Sequence, residues 1–290
     1  MTESQWTMQG KVCLVSGATR GLGRAAALGL AKMGATVLII GRNPQKVETT
    51  LSSLREETRN SNADGFLADL SSQSEVRRVA NEILARYPRI DVLINNVGAT
   101  LLQYQSSPDG IEMTWALNYL NHFLMTYLML GGLKSAASQN GEARIIELTS
   151  SIYRMSSVNF DRRQTRRFYN GVLAYSQSKR AVITYVVELA RRLSGSGVTI
   201  NTVTPGFVRT GIAGGNGLPA KMAMWVVSRF SLPVERGVQP ILHLATAPEL
   251  RGISGKYYNQ YRQMTDDPTC TAQATIDHLW QMSERMTGLL

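Results

Sequence analysis

The sequence predicts an α/β protein built on a doubly wound parallel sheet with helices on both faces. Short apolar runs alternate with helical runs from residue 11 to residue 204, with no linker-like break. A glycine-rich turn follows the first apolar run and opens the first helical run. Right-handed crossovers between such strands force a parallel sheet. A chain of 290 residues can bury one sizeable core, so we expect a single domain over residues 1–290.

The first strand, helix and second strand make one βαβ unit near the N-terminus. Residues 11–16 form a short apolar run, residues 24–33 form an Ala-rich helical run, and residues 36–40 form the second apolar run. The sheet continues to about seven strands, with the others predicted at 65–68, 92–95, 144–149, 198–203 and 255–259. Further helices are predicted at 44–59, 73–87, 110–133, 172–193 and 235–245, and residues 260–290 form a C-terminal extension. Ligands bind beyond the carboxyl ends of such strands, so functional side chains are expected there.

The turn after the first strand carries three glycines, Gly17, Gly21 and Gly23, in the order Gly-x-x-x-Gly-x-Gly. A glycine turn between a strand and a helix lets a pyrophosphate approach the helix N-terminus, where backbone N–H groups are free. The spacing differs from the Gly-x-Gly-x-x-Gly of most dinucleotide sites. By itself the turn is compatible with a dinucleotide site or with an ordinary glycine loop.

A tyrosine and a lysine one helical turn apart, Tyr175 and Lys179, predict a catalytic pair. Residues four apart lie on the same face of a helix. A phenol has a pKa of about 10, which is too high for easy proton exchange at neutral pH. A neighbouring ammonium favours the phenolate and would bring that pKa toward the working range. The pair therefore indicates a general acid and base for interconverting a carbonyl and an alcohol, although the spacing also occurs on exposed helices.

In order and spacing these motifs resemble those of the short-chain dehydrogenase/reductase family, over about residues 10–260. The matching residues are Gly17, Gly21 and Gly23; Asp69; Asn95-Asn96-Val97-Gly98; Asn118; Ser150-Ser151; Tyr175 and Lys179; and Pro205-Gly206. Ser16 and Val97 replace the Thr and Ala that are usual in the family, and neither change removes a group that the chemistry requires. The resemblance implies a Rossmann-type fold and a nicotinamide-dependent oxidoreductase.

Charge after the second strand predicts NADPH rather than NADH. Enzymes that use NAD usually place a carboxylate there to accept hydrogen bonds from the ribose. This chain has Arg42 there and Arg20 in the glycine turn, and two guanidinium groups suit a 2′-phosphate. An Arg42 that merely faces solvent is the alternative. No metal site is expected, and the predicted cofactor-binding set is Gly17, Thr19, Arg20, Gly21, Leu22, Gly23, Arg42, Asp69, Leu70, Asn95, Gly98, Tyr175, Lys179, Pro205, Gly206 and Thr210.

The resemblance also implies what several of these residues contact. Asp69 would hold the adenine amine, Asn95 and Gly98 would line the adenosine, and Thr210 would reach the nicotinamide amide.

The resemblance assigns catalysis to Asn118, Ser151, Tyr175 and Lys179. Tyr175 would donate a proton to the substrate oxygen while NADPH delivers hydride to the carbonyl carbon. Ser151, preferred over Ser150 as the second serine of the pair, would hydrogen-bond that oxygen. Lys179 would lower the tyrosine pKa and bind the nicotinamide ribose. Asn118 would hold a water that connects Lys179 to solvent.

The predicted substrate is a lipophilic carbonyl or alcohol, such as a retinoid, a steroid or a xenobiotic. The long segment between the serines and Tyr175, together with residues 247–258, resembles the retinol dehydrogenase-like branch, which acts on such compounds. Residues 207–232 would form a substrate lid, with an amphipathic segment at 221–230 whose methionine and aromatic side chains adapt to apolar ligands. Packing into the core is the alternative for those side chains.

The chain is basic, with 31 Lys and Arg against 21 Asp and Glu and a net charge of +10. Four arginines cluster at 162, 163, 166 and 167. The Arg162–Arg167 cluster is compatible with peripheral membrane contact, an acidic partner, an anionic substrate or a solvated loop. Nucleic-acid binding is not expected, because no recognition module accompanies the charge.

The protein is expected to be cytoplasmic, and peripheral to membranes if the arginine cluster binds them. No apolar run reaches the roughly 18 residues that span a bilayer, and the first strand leaves no room for a signal peptide ahead of it. Cys13 and Cys270 cannot form a disulfide scaffold. Helices 110–133 and 172–193 correspond to the family's usual homodimer surface, with packing inside one chain as the alternative.

A second class of function stays open. The same fold could serve a non-catalytic NADPH-binding sensor or scaffold protein. The complete set of Asn118, a serine, Tyr175 and Lys179 favours an enzyme, because a sensor does not need a proton relay. His122, on the helix that carries Asn118, is expected to be a packed core histidine rather than a catalyst.

Overall fold

The sheet of the protein has eight strands in the order β3-β2-β1-β4-β5-β6-β7-β8. The structure is a computed structural model that describes residues 8–156, 160, 166–208 and 231–290. The strands are β1 (Val12–Ser16), β2 (Thr36–Gly41), β3 (Ala63–Leu67), β4 (Val92–Asn95), β5 (Ala143–Leu148), β6 (Val198–Thr204), β7 (Tyr257–Asn259) and β8 (Arg262–Gln263). The first seven are parallel, and β8 is antiparallel to β7. The predicted doubly wound α/β fold is confirmed, with eight strands instead of about seven.

The eighth strand has no apolar signal in the sequence. Its two residues, Arg262 and Gln263, are exposed and pair with Asn259 and Tyr258 of β7. Gln260 turns the chain between the two strands with a positive φ of 55°. A pair of exposed polar residues shows no hydrophobic period, so the sequence could not predict this strand.

Helices cover both faces of the sheet. They are α1 (Gly21–Lys32), α2 (Pro44–Thr58), α3 (Gln73–Arg86), α4 (Met113–Trp115), α5 (Asn121–Asn140), α6 (Gly171–Arg192), α7 (Val234–Gly237), α8 (Gln239–Thr246), α9 (Pro268–Thr271) and α10 (Gln273–Thr287). A π-helical turn, Ala116–Leu120, joins α4 to α5, and single 3-10 turns lie at Ser151–Met155, Arg166–Phe168 and Pro248–Leu250. The helix predicted at 235–245 is therefore divided into α7 and α8, at a point where Pro240 cannot donate a backbone hydrogen bond.

The central strands are apolar on both sides because two layers of helices cover the sheet. Leu14 and Leu38 pack in the layer formed with α3, α5, α6 and α10. Their neighbours along the strands pack on the opposite face. Val15 of β1 and Val37 of β2 belong to the layer formed with α1, α2 and α8. Successive side chains of a strand point to opposite faces, so nearly continuous apolar runs are what a sheet buried on both faces requires.

The strand order reverses between β1 and β4, which pair directly although β2 and β3 separate them along the chain. In open α/β sheets, ligands bind in the crevice beyond the carboxyl ends of the strands at such a reversal. The glycine turn (residues 17–23) follows β1, and a segment that we call the β4 loop (residues 96–102) follows β4. The fold therefore brings both segments to the crevice.

The C-terminal extension packs on the helices that the family resemblance assigns to a homodimer. Trp280 of α10 contacts Phe123 of α5 edge to face, with ring centroids 5.1 Å apart. The Arg192 guanidinium at the end of α6 lies 3.9 Å from the centre of the Trp280 ring. Ser283 Oγ lies 2.6 Å from the hydroxyl of Tyr119. The extension thus covers part of α5 and α6 within one chain, and a homodimer stays a prediction.

Candidate active site

Helix α6 places Tyr175 and Lys179 at the carboxyl end of β5. The helix begins after Asn170, whose side-chain oxygen accepts two hydrogen bonds from N–H groups of the first turn. Lys179 is buried, and its Nζ donates a hydrogen bond of 2.9 Å to the carbonyl of Leu148, the last residue of β5. The same Nζ lies 5.8 Å from the centre of the Tyr175 ring. The structure brings the predicted pair together.

Burial decides the protonation of both groups. Burial raises the pKa of Tyr175 to about 12, while a hydrogen bond with the Ser150 side chain acts in the opposite direction. Burial lowers the pKa of Lys179 to about 8, and the charge of Glu147 opposes that shift. The spacing of the pair predicted a lowered tyrosine pKa, and that expectation is corrected, because desolvation of the phenolate prevails. At neutral pH Tyr175 carries its proton and Lys179 carries its charge.

Two serines follow β5, which ends at Leu148. The Ser150 side chain caps the 3-10 turn that follows, where it accepts a hydrogen bond from the Ile152 N–H, and it acts to lower the pKa of Tyr175. Ser151 is exposed at the first position of that turn. The catalytic role of Ser151 stays a prediction.

Asn118 lies in the π-helical turn and is fully buried. Its side-chain amide donates a hydrogen bond of 2.9 Å to the Ala99 carbonyl, and its side-chain oxygen accepts one of 2.8 Å from the Ala99 N–H. The amide also donates to Ser178 Oγ at 3.2 Å, one residue before Lys179. Asn118 thus connects the β4 loop to the catalytic helix. A water held by Asn118 stays a prediction.

The glycine turn is in direct contact with the β4 loop. Gly17 and Gly21 have left-handed φ values of 65° and 55°. A Cβ on Gly23 would overlap the Asn96 side-chain nitrogen and would lie 2.5 Å from the Gly17 carbonyl oxygen. That nitrogen donates hydrogen bonds to the carbonyls of Ser16 and Gly17, at 2.9 and 3.2 Å. Backbone conformation at two positions and space at the third therefore require glycine.

The N-terminus of α1 fits the pyrophosphate of the predicted dinucleotide. Arg20 precedes the helix, and among the described residues no side chain caps the first N–H groups and no acidic residue lies in the first turn. Free N–H groups at a helix N-terminus attract an anion. Leu22 packs in the core, so it offers only its backbone to a ligand. The free N–H groups of the first turn can donate hydrogen bonds to a phosphate, and the absence of a side chain at Gly23 lets the phosphate approach the backbone closely.

Two exposed arginines, Arg20 and Arg42, follow β1 and β2. Arg42 follows β2 with its side chain 80% exposed, and its Nη1 lies 3.9 Å from a carboxylate oxygen of Asp69. Thr19 packs so closely on Gly41 that a Cβ there would lie 2.6 Å from the threonine methyl. This contact joins the glycine turn, including the exposed Arg20, to the end of β2. Arg20 and Arg42 therefore lie on segments that meet at one edge of the crevice.

Asn95 does not reach the crevice with its side chain, which corrects its assignment to the adenosine. It is fully buried, and its Nδ2 donates hydrogen bonds to Thr126 Oγ1 at 2.7 Å and to Glu147 Oε1 at 2.6 Å. Gly98 lies beside the catalytic lysine, since a Cβ there would be 3.6 Å from Lys179 Nζ. Gly98 is thus at the crevice, and Asn95 belongs to the buried layer beneath it.

The remaining predicted cofactor residues follow β3 and β6. Asp69 Oδ1 accepts hydrogen bonds from the N–H and the hydroxyl of Ser71, at 3.0 and 2.8 Å. Leu70 is buried in the core. Pro205 is buried and Gly206 has a φ of 89°, immediately after β6. Thr210 and most of the predicted lid lie outside the described residues, since 209–230 are not among them.

A contact that the sequence did not predict holds the start of α6 against the β4 loop. The Tyr169 hydroxyl lies 3.0 Å from both the Leu101 carbonyl oxygen and a carboxylate oxygen of Glu112. Gly171 approaches so closely that a Cβ there would overlap the Leu101 carbonyl. The only sequence signal is a glycine at the first position of a helix, which is too common to distinguish. The contact positions the helical turn that precedes Tyr175.

The chain is similar to known proteins over most of its length. The family model of short chain dehydrogenases matches residues 11–218. Retinol dehydrogenase 14 of Homo sapiens is 37% identical over 302 residues, which cover 98% of this chain and 88% of that protein. An uncharacterized protein from Mycobacterium paratuberculosis superimposes with a TM-score of 0.78 at 25% identity, covering 98% of this chain and 96% of the other. RhlG of Pseudomonas aeruginosa, solved as an active-site complex with NADP, has a TM-score of 0.69 at 26% identity, covering 89% and 97%.

Proposed function

The chain belongs to the short-chain dehydrogenase/reductase family, and from that premise we propose that it transfers hydride between NADPH and a lipophilic carbonyl or alcohol. As a member of the family it is an oxidoreductase that acts on CH–OH and C=O groups. The observation that carries the proposal is the placement of Tyr175 and Lys179 on α6 at the end of β5, with Lys179 Nζ 5.8 Å from the centre of the Tyr175 ring. Two serines follow that strand. A carbonyl oxygen that lies against the Tyr175 hydroxyl and a serine hydroxyl accepts two hydrogen bonds, which stabilise the charge that develops on it.

Each of the chain's own groups has one task in this mechanism. Bound NADPH would supply the hydride. Tyr175 holds the proton for the substrate oxygen, because burial keeps its pKa at about 12. Ser151 would hydrogen-bond that oxygen, and Ser150 favours the phenolate that forms when the proton leaves. Lys179 supplies the positive charge that stabilises the phenolate, and Asn118 holds the β4 loop against the helix that carries both residues.

The preference for NADPH is proposed from charge at one edge of the crevice. Arg42 and Arg20 are exposed there, and a guanidinium group binds a phosphate with paired hydrogen bonds. Of the two carboxylate oxygens of the nearby Asp69, Oδ1 accepts a hydrogen bond from Ser71 and Oδ2 lies 3.9 Å from Arg42 Nη1. RhlG, which shares the fold, was solved with NADP.

Replacing Arg42 with Asp is expected to change the preference from NADPH toward NADH by about two orders of magnitude, because charge-assisted bonds to the phosphate are lost and a carboxylate repels it. The measurement is the ratio of the two cofactors' dissociation constants. Lys32→Asp is the matched control: it makes the same charge change at the C-terminal end of α1, and its ratio should equal that of the wild type. An unchanged ratio in the Arg42 variant would move the phosphate contact elsewhere.

A lipophilic substrate is proposed from apolar side chains around the crevice. Leu102 lies in the β4 loop and is 52% exposed, Met155 follows β5 and is 61% exposed, and Phe207 follows β6 and is also exposed. Val172 and Leu173 are exposed in the first turn of α6. Apolar groups gathered around a crevice are typical of a site for an apolar ligand. Retinol, after which the relative retinol dehydrogenase 14 is named, has this chemical character.

The test of the proposed function is NADPH oxidation in the presence of carbonyls that range from small polar aldehydes to retinal and steroid ketones. Activity confined to the lipophilic members is the expected result. Activity confined to the polar aldehydes would contradict the substrate class while leaving the reaction intact. NADPH binding without turnover on any carbonyl would support the non-catalytic sensor instead.

Peripheral membrane contact is proposed for the described part of the Arg162–Arg167 cluster. Among the described residues, no helix has the length and apolar character to cross a bilayer. Arg166 and Arg167 are exposed, and the adjacent Phe168 is 76% exposed with the Arg167 guanidinium 5.5 Å from its ring centre. Arg162 and Arg163 lie outside the described residues. Exposed basic and aromatic groups side by side suit an anionic lipid surface.

Replacing Arg166 and Arg167 with Gln is expected to weaken binding to vesicles of anionic phospholipid about 30-fold, since each basic residue near such a surface contributes about 1 kcal/mol. Co-sedimentation with anionic and with neutral vesicles measures this. The control replaces the exposed Lys32 and Lys134 with Gln, which removes the same charge elsewhere and should change little. Equal binding by both variants would favour a solvated loop.

A further inference from the structure

His122 of α5 is fully buried and has a hydrogen-bond acceptor at each ring nitrogen. Nδ1 lies 2.8 Å from Glu147 Oε2, and Nε2 lies 2.8 Å from the carbonyl oxygen of Val97. A carbonyl oxygen only accepts hydrogen bonds, so Nε2 carries a proton. The proton between Nδ1 and Glu147 then belongs to one of the two partners. A packed core histidine was expected from the sequence; the structure agrees that it is buried and adds this network.

The other carboxylate oxygen of Glu147 indicates where that proton lies. Glu147 Oε1 accepts hydrogen bonds from Asn95 Nδ2 at 2.6 Å, from the Thr126 hydroxyl at 3.3 Å and from the Tyr185 hydroxyl. Several donors directed at one oxygen stabilise the ionised carboxylate. These donors would favour a carboxylate at Glu147, which would place the proton on Nδ1 of His122. The buried pair would then be an imidazolium with a carboxylate, whose charges are paired and hydrogen-bonded.

His122 is one of three buried or half-buried side chains that hold successive residues of the β4 loop. Asn96 binds the carbonyls of the glycine turn, His122 binds the Val97 carbonyl, and Asn118 binds both backbone groups of Ala99. Gly98, between the last two contacts, lies beside Lys179. The loop is thus fixed along the whole path from the pyrophosphate end of the crevice to the catalytic lysine.

We propose that His122 is a positioning residue for the cofactor. Held as an imidazolium by Glu147, it fixes the Val97 carbonyl and with it the β4 loop. The assignment rests on the proposed function, because it requires a dinucleotide in the crevice. While Glu147 is ionised, both partners of the ring only accept hydrogen bonds, and a neutral imidazole with its single N–H could bond only one of them. Loss of the charge therefore releases either Val97 or Glu147.

The charge of Glu147 also acts on the catalytic lysine. The groups that face the carboxylate are His122 from α5, Tyr119 from the π-helical turn, and Tyr185 and Lys179 from α6. Burial raises the pKa of both tyrosines, and Glu147 raises them further, so they stay neutral. Burial lowers the pKa of Lys179 to about 8, and the charge of Glu147 opposes that decrease. Removing the carboxylate charge lowers the lysine pKa further.

The first test needs neither a variant nor turnover. Nitrogen NMR of the cofactor-free wild type reports whether a histidine ring carries one proton or two, and the chain has only three histidines to distinguish. Two protons on the His122 ring at pH 7.5 are expected. A ring with one proton would overturn the proposal, whatever the enzyme binds or turns over.

The second test compares Glu147→Gln with Glu142→Gln. Glutamine is close in shape to glutamate, and Asn95 Oδ1, which has no partner among the described residues, can accept its new amide donor after the Asn95 amide turns. We expect Glu147→Gln to raise the NADPH dissociation constant about tenfold, the effect of one charge-assisted hydrogen bond. Reductive turnover should decline as pH rises past about 8 in the wild type, as Lys179 loses its charge. In the variant that decline should move about one pH unit lower.

Glu142→Gln removes a charge of equal burial from an ion pair with Arg144, 2.9 Å long, at the other end of β5. It should lower the melting temperature but change neither the NADPH dissociation constant nor the pH profile. If the two variants bind NADPH equally well, the positioning role is overturned. A wild type that binds no nicotinamide cofactor would instead overturn the proposed function, while the NMR result still decides the charge of His122.

Discussion

Replacing Tyr175 with phenylalanine is expected to reduce turnover about 1,000-fold, which is within the range for loss of a general acid. The change removes the hydroxyl that carries the proton and leaves the ring, which packs at the carboxyl end of β5. The phenylalanine ring carries no charge and does not displace Lys179, whose Nζ stays hydrogen-bonded to the Leu148 carbonyl. NADPH affinity should therefore stay within about twofold of the wild type, because the loss concerns an interaction made in the transition state.

The measurements are single-turnover NADPH consumption for the chemical step and fluorescence titration for the affinity. Tyr258→Phe is a matched control, since Tyr258 lies on β7 at the far side of the sheet and its hydroxyl contacts Gln263 at 3.4 Å. It should leave both quantities unchanged. Turnover retained by the Tyr175 variant would discard the proton-donor assignment.

The same assay decides between the two serines. Ser151→Ala removes the hydroxyl predicted to bond the substrate oxygen and should lower turnover about 100-fold, as the loss of an oxyanion donor does elsewhere. Ser150→Ala, one position earlier, is the comparison, since that hydroxyl acts on the Tyr175 pKa. A loss in the Ser150 variant alone would move the substrate contact to Ser150.

The sheet was predictable because its signals are local. Burial on both faces makes the apolar runs of the central strands nearly continuous, as in β1 and β2. The glycine turn was equally local, since Gly17 and Gly21 need left-handed φ and Gly23 needs space. The extension at 260–290 was predicted only as an extension, and its helices α9 and α10 take their place by packing on α6.

The candidate site was predictable in its parts but not in its orientations. The spacing of Tyr175 and Lys179 on one helix needs no tertiary information. Which of two adjacent residues faces a neighbour does need it. Ser150 lowers the tyrosine pKa while Ser151 stays the predicted catalytic serine, and Asn96 rather than Asn95 faces the glycine turn. In each case the side chains alternate at the end of a strand, where a shift of one residue reverses the direction.

The raised pKa of Tyr175 has the same origin. Charge spacing along a helix predicted a lowered value, but burial depends on the loops that surround the tyrosine. The β4 loop is distant from α6 along the chain. Contacts of Tyr169 and Gly171 with Leu101 hold that loop against the start of the helix. Desolvation then outweighs the favourable hydrogen bond. A tyrosine that keeps its proton suits the reductive direction.

Replacing Gly23 with alanine is expected to weaken NADPH binding about 100-fold, because the new methyl group overlaps atoms that cannot move without breaking the turn. One is the Asn96 side-chain nitrogen, which is held by two hydrogen bonds to the carbonyls of Ser16 and Gly17. The other is the Gly17 carbonyl oxygen itself, 2.5 Å from the added carbon. Displacing either one changes the path of the backbone where the pyrophosphate approaches, and the loss equals two or more hydrogen bonds to a charged group.

Gly131→Ala is the matched control for that substitution. Gly131 lies within α5 with nothing within 4 Å of an added Cβ, so the same change there should stabilise the protein by up to about 1 kcal/mol through helix propensity. Thermal unfolding of both variants measures the change in stability, and NADPH titration measures the change in affinity, so the two effects of the added methyl group can be distinguished. A folded Gly23 variant that binds NADPH normally would show that the glycine turn does not hold the pyrophosphate. A Gly23 variant that melts like the wild type but no longer binds would assign the whole effect to the crevice.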